Sequence, residues 1–505
     1  MSVARSAPTP SWSGLPDQAA TTVGRPLLTV IAVLGPFFFG SNTPLGAGML
    51  AVAAGLALVV TALAAPSSRL ARRLFALSML LVLLLAGLAL LQSGPTPIGG
   101  PEHPAWAEAR AVLGPVPGSI AAVAGEPLRA LPGCAAPVCL FAAALALTRN
   151  DEAVLATWRH LVHTTAALAL VTLAQRHLTP GTLLWAPKLY YTDSFTLTYI
   201  NRNTAATHLG VTLLAASALF YRDWRRTGFD LGALIPDAGP GGSRPRPLLV
   251  LHAATLALLF VALVSTRSRA GLVATLLGLA VFWVPVLWSS HLAGRARGPA
   301  LAALGAIATA AVWIFGGLVL SRFDAEGTVD SSRACTFAAT IAIFLEHPIL
   351  GTGLGTFQDV FPAYRDLDCD IHGYWDKAHS TYLEALQSAG LAGGALLGTG
   401  LAALVWAVRH GWRSRKRYRF VAAATGGMVA VAATHALVDF SLQIPGFAVY
   451  LAVLLGSGLG SCLMRDGPRE AGSRADGRRG RTTSAPPFKA GPRLSGAGPA
   501  RPPPP

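Results

Sequence analysis

The chain carries little charge for its length. Asp, Glu, Lys and Arg make up 13% of its 505 residues, whereas 52% of the residues are hydrophobic. A soluble chain would have about 25% charged residues. The composition therefore excludes an ordinary soluble domain and predicts an all-α, polytopic membrane protein. Its spans must be helical, because lipid offers no hydrogen-bonding partner to an exposed backbone.

Signatures of familiar catalytic and metal sites are also missing. The five cysteines have no CxxC or other metal-binding spacing, and the chain has no GxSxG and no HExxH. The aspartates 366, 368 and 370 lack the glycine and distal glutamate of a calcium loop. The glycine-rich HPILGTGLGTF has neither the P-loop lysine nor the strand that precedes a nucleotide fingerprint. We therefore predict no metal and no cofactor, and expect these glycines to fold the loop tightly against the membrane.

Apolar runs of roughly 17–22 residues, each long enough to cross a hydrocarbon core of about 30 Å, predict about 12 transmembrane helices. They fall at residues 27–43, 45–65, 70–91, 134–148, 159–177, 204–221, 248–265, 270–290, 300–320, 379–408, 419–438 and 445–463. One large polar loop, residues 321–378, separates spans 9 and 10. We predict a transmembrane domain over 27–463, flanked by disordered cytoplasmic tails at 1–26 and 464–505.

The formal charge of +16 does not indicate a nucleic-acid partner, because the basic residues lie mostly on one side. With the N-terminus inside, 29 of the 40 Lys and Arg residues fall on the cytoplasmic side. Such residues are retained in the cytoplasm. Both termini are therefore predicted to be cytoplasmic, and the basic C-terminal tail to lie against anionic lipid headgroups.

Two arginines interrupt the outer face, where positive charge is least expected. Arg267 and Arg269 lie in the short turn STRSRAG between two spans. Guanidinium groups bind phosphate oxygens in pairs, so the two arginines are candidates for a phosphate clasp. The alternative is that they extend to lipid phosphates, as arginines at an interface commonly do.

Arg333 follows Asp-Ser-Ser at the start of a helical pattern in the large loop. The exposed N–H groups of a helix N-terminus attract anions, so Arg333 is a second candidate phosphate ligand. The alternative is a salt bridge with an acidic residue of the same loop, for which Asp324, Glu326 and Asp330 are available.

His379 lies where the chain re-enters a hydrophobic run, with Asp376 before it and Glu384 after it. A histidine at a helix start is commonly structural. Imidazole is also the side chain best suited near neutral pH to take a proton from a sugar hydroxyl. Glu384 and His435 are weaker candidates, and a position at the membrane interface is enough to explain Asp439.

Asn201, Arg202 and Asn203 precede the sixth predicted span. They either hydrogen-bond a sugar or phosphate, or cap the helix. Cys335 and Cys369 fall in the same outer loop and either pair as a disulfide or remain free thiols.

Together these segments resemble the bacterial O-antigen ligase and polymerase superfamily. The similar segments are STRSRAGL at 265–272, Arg333 before an amphipathic helix, HPILGTGLGTF at 347–357 and AHSTYLEALQSAGLAGG at 378–394. NRNTAATHLG at 201–210 is similar to the family segment that precedes a span. The order of these pieces is also that of the family.

The resemblance implies an inner-membrane enzyme that moves a glycan from undecaprenyl pyrophosphate to an acceptor hydroxyl, without metal or nucleotide. The acceptor would be the lipid A core, a growing glycan or a protein. The resemblance implies that Arg267 or Arg269, together with Arg333, binds the pyrophosphate and that His379 acts at the acceptor. With the residue patterns above, the candidate catalytic residues are His379, Arg333 and Arg269, and the candidate substrate-binding residues are Arg267, Arg202, Asn203, Asp376 and Glu384. The sequence departs from the family pattern at Ser380, where asparagine is common, and at Gln387, where an acid is common.

A glycolipid transporter is the alternative from another class. Such a protein would have ionisable residues within its spans and commonly has internal repeats. The sequence shows no internal repeat, and its unusual polar residues collect on the outer face.

Overall fold

The computed structural model describes residues 15–62, 66–97, 100–230, 234, 246–289, 331–366, 369 and 375–464. The predicted ninth span (300–320), the start of the large loop (321–330) and the tail segments 1–14 and 465–505 lie outside these residues. The described chain is largely helical, as predicted, with α-helices and one short hairpin. In chain order the helices are α1 (Leu15–Phe37), α2 (Pro44–Ala62), α3 (Arg69–Ser93), α4 (Ala105–Leu113), α5 (Glu126–Leu147), α6 (Asp151–Leu178), α7 (Arg202–Arg226), α8 (Pro247–Ser265), α9 (Arg269–Ser289), α10 (Ser331–Glu346), α11 (Phe357–Tyr364), α12 (Thr381–Ser414), α13 (Arg419–His435) and α14 (Pro445–Leu463).

Eight of the described helices are long and apolar enough to cross a membrane: α2, α3, α5, α7, α8, α9, α12 and α14. Helices α1, α6 and α13 overlap three further predicted spans but are shorter in their apolar part or more polar. Helix α1 begins at Leu15, so residues 15–26 of the predicted N-terminal tail are helical. The hairpin pairs β1 (Thr182–Leu183) with β2 (Ala186–Pro187).

Helix α14 is buried along its whole length. Small residues permit this, because neighbouring backbones approach where a side chain would clash. A Cβ atom added to Gly446 would lie 2.3 Å from the Gly35 carbonyl oxygen of α1, and one added to Gly456 would lie 2.4 Å from the Phe141 carbonyl oxygen of α5. The bundle is therefore built around α14.

The described part of the large loop contains helices α10 and α11. Cys335 in α10 and Cys369 after α11 form a disulfide, with their Cα atoms 6.2 Å apart. Phe357 and Phe361 of α11 are buried beside this bridge. Of the two alternatives for these cysteines, a disulfide or two free thiols, the structure therefore has the disulfide.

Candidate functional site

A buried hydrogen-bond network joins three segments at one end of the bundle. The Asn203 side chain, at the start of α7, donates to Asp439 Oδ1 at 3.0 Å and accepts from the Ser268 hydroxyl at 2.8 Å. Ser268 lies between the two arginines of the α8–α9 turn. We call this end of the bundle, where α7, α9 and α12 begin and α8 and α13 end, the site end.

The α13–α14 connection is the centre of this network. Asp439 is fully buried and also accepts hydrogen bonds from the Ser441 backbone N–H, at 2.8 Å, and from the Ser441 hydroxyl. The Ser441 hydroxyl lies 2.9 Å from that of Thr207, which contacts the ring of His435. Removing one partner of a buried charged group is costly, so the network fixes the geometry of all three segments.

His379 lies against this same connection. Its ring packs edge-on between Phe440 and Trp375, with centroid distances of 5.0 Å to each. Its backbone φ of +55° is in the left-handed region, which a residue other than glycine adopts at a cost. Such strain is common at functional sites. The half-buried imidazole is thus positioned by its contacts with these two aromatic rings.

Glu384 lies one turn into α12 and is buried rather than open to solvent. Its carboxylate accepts a hydrogen bond of 2.8 Å from the Ala378 N–H and lies 3.6 Å from the Lys377 ammonium. Burial alone would lower the pKa of Lys377, but the carboxylates of Glu384 and Asp376 hold it above its ordinary value. Glu384 therefore braces the backbone beside His379, whereas Asp376 is exposed.

Arg333 opens α10 within electrostatic range of Tyr191 and His435. Burial raises the pKa of Tyr191, and the Arg202 and Arg333 guanidinium groups oppose that rise. The large loop thus brings Arg333 to the site end, together with the α6–α7 loop and the end of α13. The acidic residues proposed as its alternative partners lie outside the described residues.

Arg267 reaches the α6–α7 loop, where its guanidinium lies 2.9 Å from the Asp193 carboxylate. Burial opposes ionisation of Asp193, but the Ser194 hydroxyl and the Arg267 guanidinium hold its pKa below the ordinary value. The backbone of Arg267 is also left-handed, with φ of +55°. Arg267 is therefore held at the edge of the site by a partly exposed ion pair.

Arg202 and Arg269 begin α7 and α9, at the site end. The Arg202 guanidinium lies over the Tyr191 ring, 5.2 Å from its centroid, and donates to the Ser194 hydroxyl at 3.3 Å. Asn201 is the N-cap of α7, which confirms the capping interpretation for this residue. Arg269 is half-buried.

The glycine-rich segment 347–357 locks into a kink of α12. Gly390 has φ of +60° and ψ of −159°, and a Cβ atom there would lie 2.4 Å from the Ile349 carbonyl. The buried Gln92 side chain donates to the carbonyls of Leu350 and Ser388, at 2.7 and 2.9 Å. The segment is thus a structural clamp between α3 and α12, in agreement with the tight fold predicted for it.

Gln387, where the family pattern commonly has an acid, takes part in this clamp. Its side-chain N–H donates to the Thr352 hydroxyl, and its backbone carbonyl accepts from the Thr352 backbone N–H at 3.0 Å. The departure from the family pattern therefore has a local partner in this chain.

Sequence reasoning undervalued Asp439 and missed Gln92 and Asp193. Asp439 and Asn203 are 236 residues apart, so no local pattern shows that they meet. The available signal was physical: a carboxylate near the end of an apolar span is costly unless something compensates it. The same reasoning applies to Gln92 at the end of α3.

Comparison with protein families finds a match over part of the chain. Residues 254–398 match the family model described as Wzy_C, O-antigen ligase. The matched range runs from α8 into α12 and contains Arg267, Arg269, Arg333, His379 and Glu384. No curated protein matches the chain. The predicted resemblance is confirmed over these residues.

Proposed function

We propose that this protein, whose residues 254–398 match the O-antigen ligase family model, transfers a glycan from undecaprenyl pyrophosphate to an acceptor hydroxyl. The reaction would take place on the periplasmic side of the bacterial inner membrane. One observation carries the proposal: the α13–α14 connection holds His379 through Phe440 and contacts the arginine-bearing α8–α9 turn through Asp439 and Asn203.

In this proposal the arginines bind the pyrophosphate of the donor. Arg333 and Arg269 stabilise the negative charge that develops on the leaving phosphate, and Arg267 and Arg202 extend the positive field at the edge of the site. Fixed cations in a site shielded from water act without reorganisation, and losing one such donor typically costs about 100–1000-fold in rate. Asn203 supports the arrangement by orienting the α8–α9 turn.

His379 takes the proton from the acceptor hydroxyl as that oxygen attacks the anomeric carbon. The bond to the pyrophosphate oxygen breaks, and the lipid pyrophosphate leaves. Direct displacement inverts the anomeric configuration. General base catalysis contributes roughly 100–10,000-fold. Glu384 positions the His379 backbone, Asp376 lies near the acceptor, and the scheme includes no metal or cofactor.

The test uses His379→Ala and Arg333→Ala in cells, with Arg129→Ala as the matched control. The Arg129 side chain is 75% exposed and lies near the start of α5, before the predicted fourth span. After membrane insertion is verified, we expect both site variants to lose surface glycan and the control to keep it. Full-length glycan at wild-type level in both site variants would remove these residues from the mechanism.

The acceptor is distinguished by a deletion strain. Accumulation of lipid-linked polymer with none on lipid A indicates a ligase, which we favour. A single repeat unit on the surface indicates a polymerase. Loss of glycan from protein indicates a protein transferase.

One observation in the structure supports the transporter alternative. Ionisable residues are buried at the opposite end of the bundle, where Asp223 pairs with Arg222 at 2.9 Å and lies 3.0 Å from His252. Within the bundle, His208 is also buried, but Thr165 and Tyr199 contact its two ring nitrogens at 3.1 and 2.8 Å. Purified protein that joins donor to acceptor in detergent would exclude a purely transporting role.

A further inference from the structure

A cavity of about 90 Å³ lies under the α6–α7 loop. Its walls come from the last turns of α6, including Thr172 and Arg176, and from the loop, including Lys188, Thr196 and Leu197. One water needs roughly 10–15 Å³ of such space, so the cavity can hold a small polar group. A sugar chain would not fit. Arg176 and Lys188 are not among the residues assigned above to pyrophosphate binding.

The cavity is electropositive. Lys188 Nζ donates to the Ser194 carbonyl at 2.5 Å, and Arg176 donates to the Asp193 carbonyl at 2.6 Å. These neutral acceptors orient the two cations without cancelling their charge. The nearby Asp193 carboxylate is engaged by Arg267. Positive charge therefore exceeds negative charge among these residues, and each cation keeps further N–H donors.

Thr196 supplies a second, independent sign of a ligand. Its side chain lines the cavity and is 1% exposed, yet its hydroxyl has no hydrogen-bond partner among the described residues. Leaving a buried polar group unsatisfied costs about 1–3 kcal/mol. A ligand oxygen in the cavity would remove that cost.

The loop is also held in an unfavourable backbone conformation. Leu184, Tyr191 and Leu197 have φ of +54°, +51° and +51°. Each such residue costs of order 1–3 kcal/mol and persists only where surrounding contacts impose it. Leu197 lines the cavity, and Leu184 and Tyr191 flank Lys188 along the chain.

We propose that this cavity is an oxyanion subsite that binds a phosphate monoester carried by the glycan substrate. Arg176 and Lys188 bind the charge, and the Thr196 hydroxyl donates to one phosphate oxygen. The subsite is separate from the pyrophosphate clasp. The statement that the phosphate group belongs to the glycan substrate rests on the proposed function. Binding of a phosphate monoester does not, because it requires no glycan transfer.

Lys188 gives the subsite a pH dependence. Burial and the neighbouring Arg176 lower the pKa of Lys188 to about 8, against the opposing effect of Asp193. The charged groups around it are Arg176 from α6, Asp193 from its own loop, and Arg267 beyond Asp193 from the α8–α9 turn. A phosphate monoester has its second pKa at about 6 and is mostly a dianion above pH 7. Binding should therefore weaken between pH 7 and pH 9 as Lys188 loses its proton.

The experiment measures glycerol phosphate binding to the full chain in detergent micelles by titration calorimetry at pH 7 and pH 9. We expect binding at pH 7 that weakens by up to about tenfold at pH 9, because the protonated fraction of Lys188 falls by about that factor. Lys188→Arg should keep its affinity at pH 9, because arginine stays charged. Lys188→Met and Thr196→Val should each bind about tenfold more weakly at pH 7. Arg129→Ala should match the wild type.

No binding by the wild type, or equal binding by Lys188→Met and the wild type, would overturn the subsite. A second measurement places the protein in nanodiscs containing phosphatidylglycerol or only phosphatidylcholine. Equal affinity in both supports a substrate phosphate, whereas competition by phosphatidylglycerol overturns that source in favour of a lipid headgroup. Arg333→Ala and His379→Ala should bind glycerol phosphate normally, so failure here and failure of the transfer mechanism are distinguishable.

Discussion

Gly390→Ala should break the clamp between the glycine-rich segment and α12. At φ of +60° and ψ of −159°, Gly390 occupies a region that is essentially restricted to glycine. The strain of placing alanine there is of order 1–3 kcal/mol. The new Cβ atom would also lie 2.4 Å from the Ile349 carbonyl and 2.7 Å from the Leu350 nitrogen. Overpacking against such rigid atoms adds typically about 1–3 kcal/mol.

The expected loss in free energy of unfolding is therefore roughly 2–6 kcal/mol, the sum of these two contributions. The control is Gly398→Ala, on the same helix, where an added Cβ atom meets nothing within 4 Å. Because alanine favours helix over glycine by up to about 1 kcal/mol, this variant should be neutral or slightly stabilised.

Thermal unfolding of both variants in detergent measures the difference. Hydrogen exchange adds local detail. The amides of residues 347–357 should exchange faster in Gly390→Ala than in the wild type, and at the wild-type rate in Gly398→Ala. Equal stability of the two variants, with unchanged exchange in that segment, would refute the clamp.

Three further outcomes follow. Gln92→Leu leaves the Leu350 carbonyl and the Leu354 backbone N–H without their side-chain partner, so unfolding should become easier by about 1–3 kcal/mol for each group, measured by thermal unfolding. Reductant should speed hydrogen exchange around α10 in the wild type but leave a Cys335→Ser/Cys369→Ser variant unchanged. Burial is the main cause that lowers the pKa of His103 to about 4, and the neighbouring His347 adds to it. The unfolded chain therefore binds more protons below pH 6.5, and stability should fall from there towards pH 4, a dependence that His103→Phe should reduce.

The helical architecture was predictable because the bilayer leaves few alternatives. Apolar runs such as 248–265 and 445–463 correspond closely to α8 (Pro247–Ser265) and α14 (Pro445–Leu463). The predicted span 159–177 covers only part of helix α6 (Asp151–Leu178), because the first turns of this helix, from Asp151 and Glu152, are polar. An apolar run in the sequence marks the part of a helix that crosses the lipid, and it gives no sign of helical turns that continue outside the membrane.

The site was predictable only in part. Arg333, Arg269 and His379 could be selected because cations and imidazole are unusual at the outer ends of apolar runs. That the helices bearing these residues meet at the site end depends on how α7, α9, α12 and α13 pack, which no local pattern specifies. Asn203 shows the difference: its capping position was evident, but its bridge from Ser268 to Asp439 was not.

The bridge between Cys335 and Cys369 has a practical consequence for engineering. It joins two points whose Cα atoms are 6.2 Å apart although 34 positions separate them along the chain. A segment whose ends meet can be exchanged for a homologous one without moving its attachment points. Chimeras cut at these two cysteines are therefore the natural way to ask whether this segment selects the acceptor.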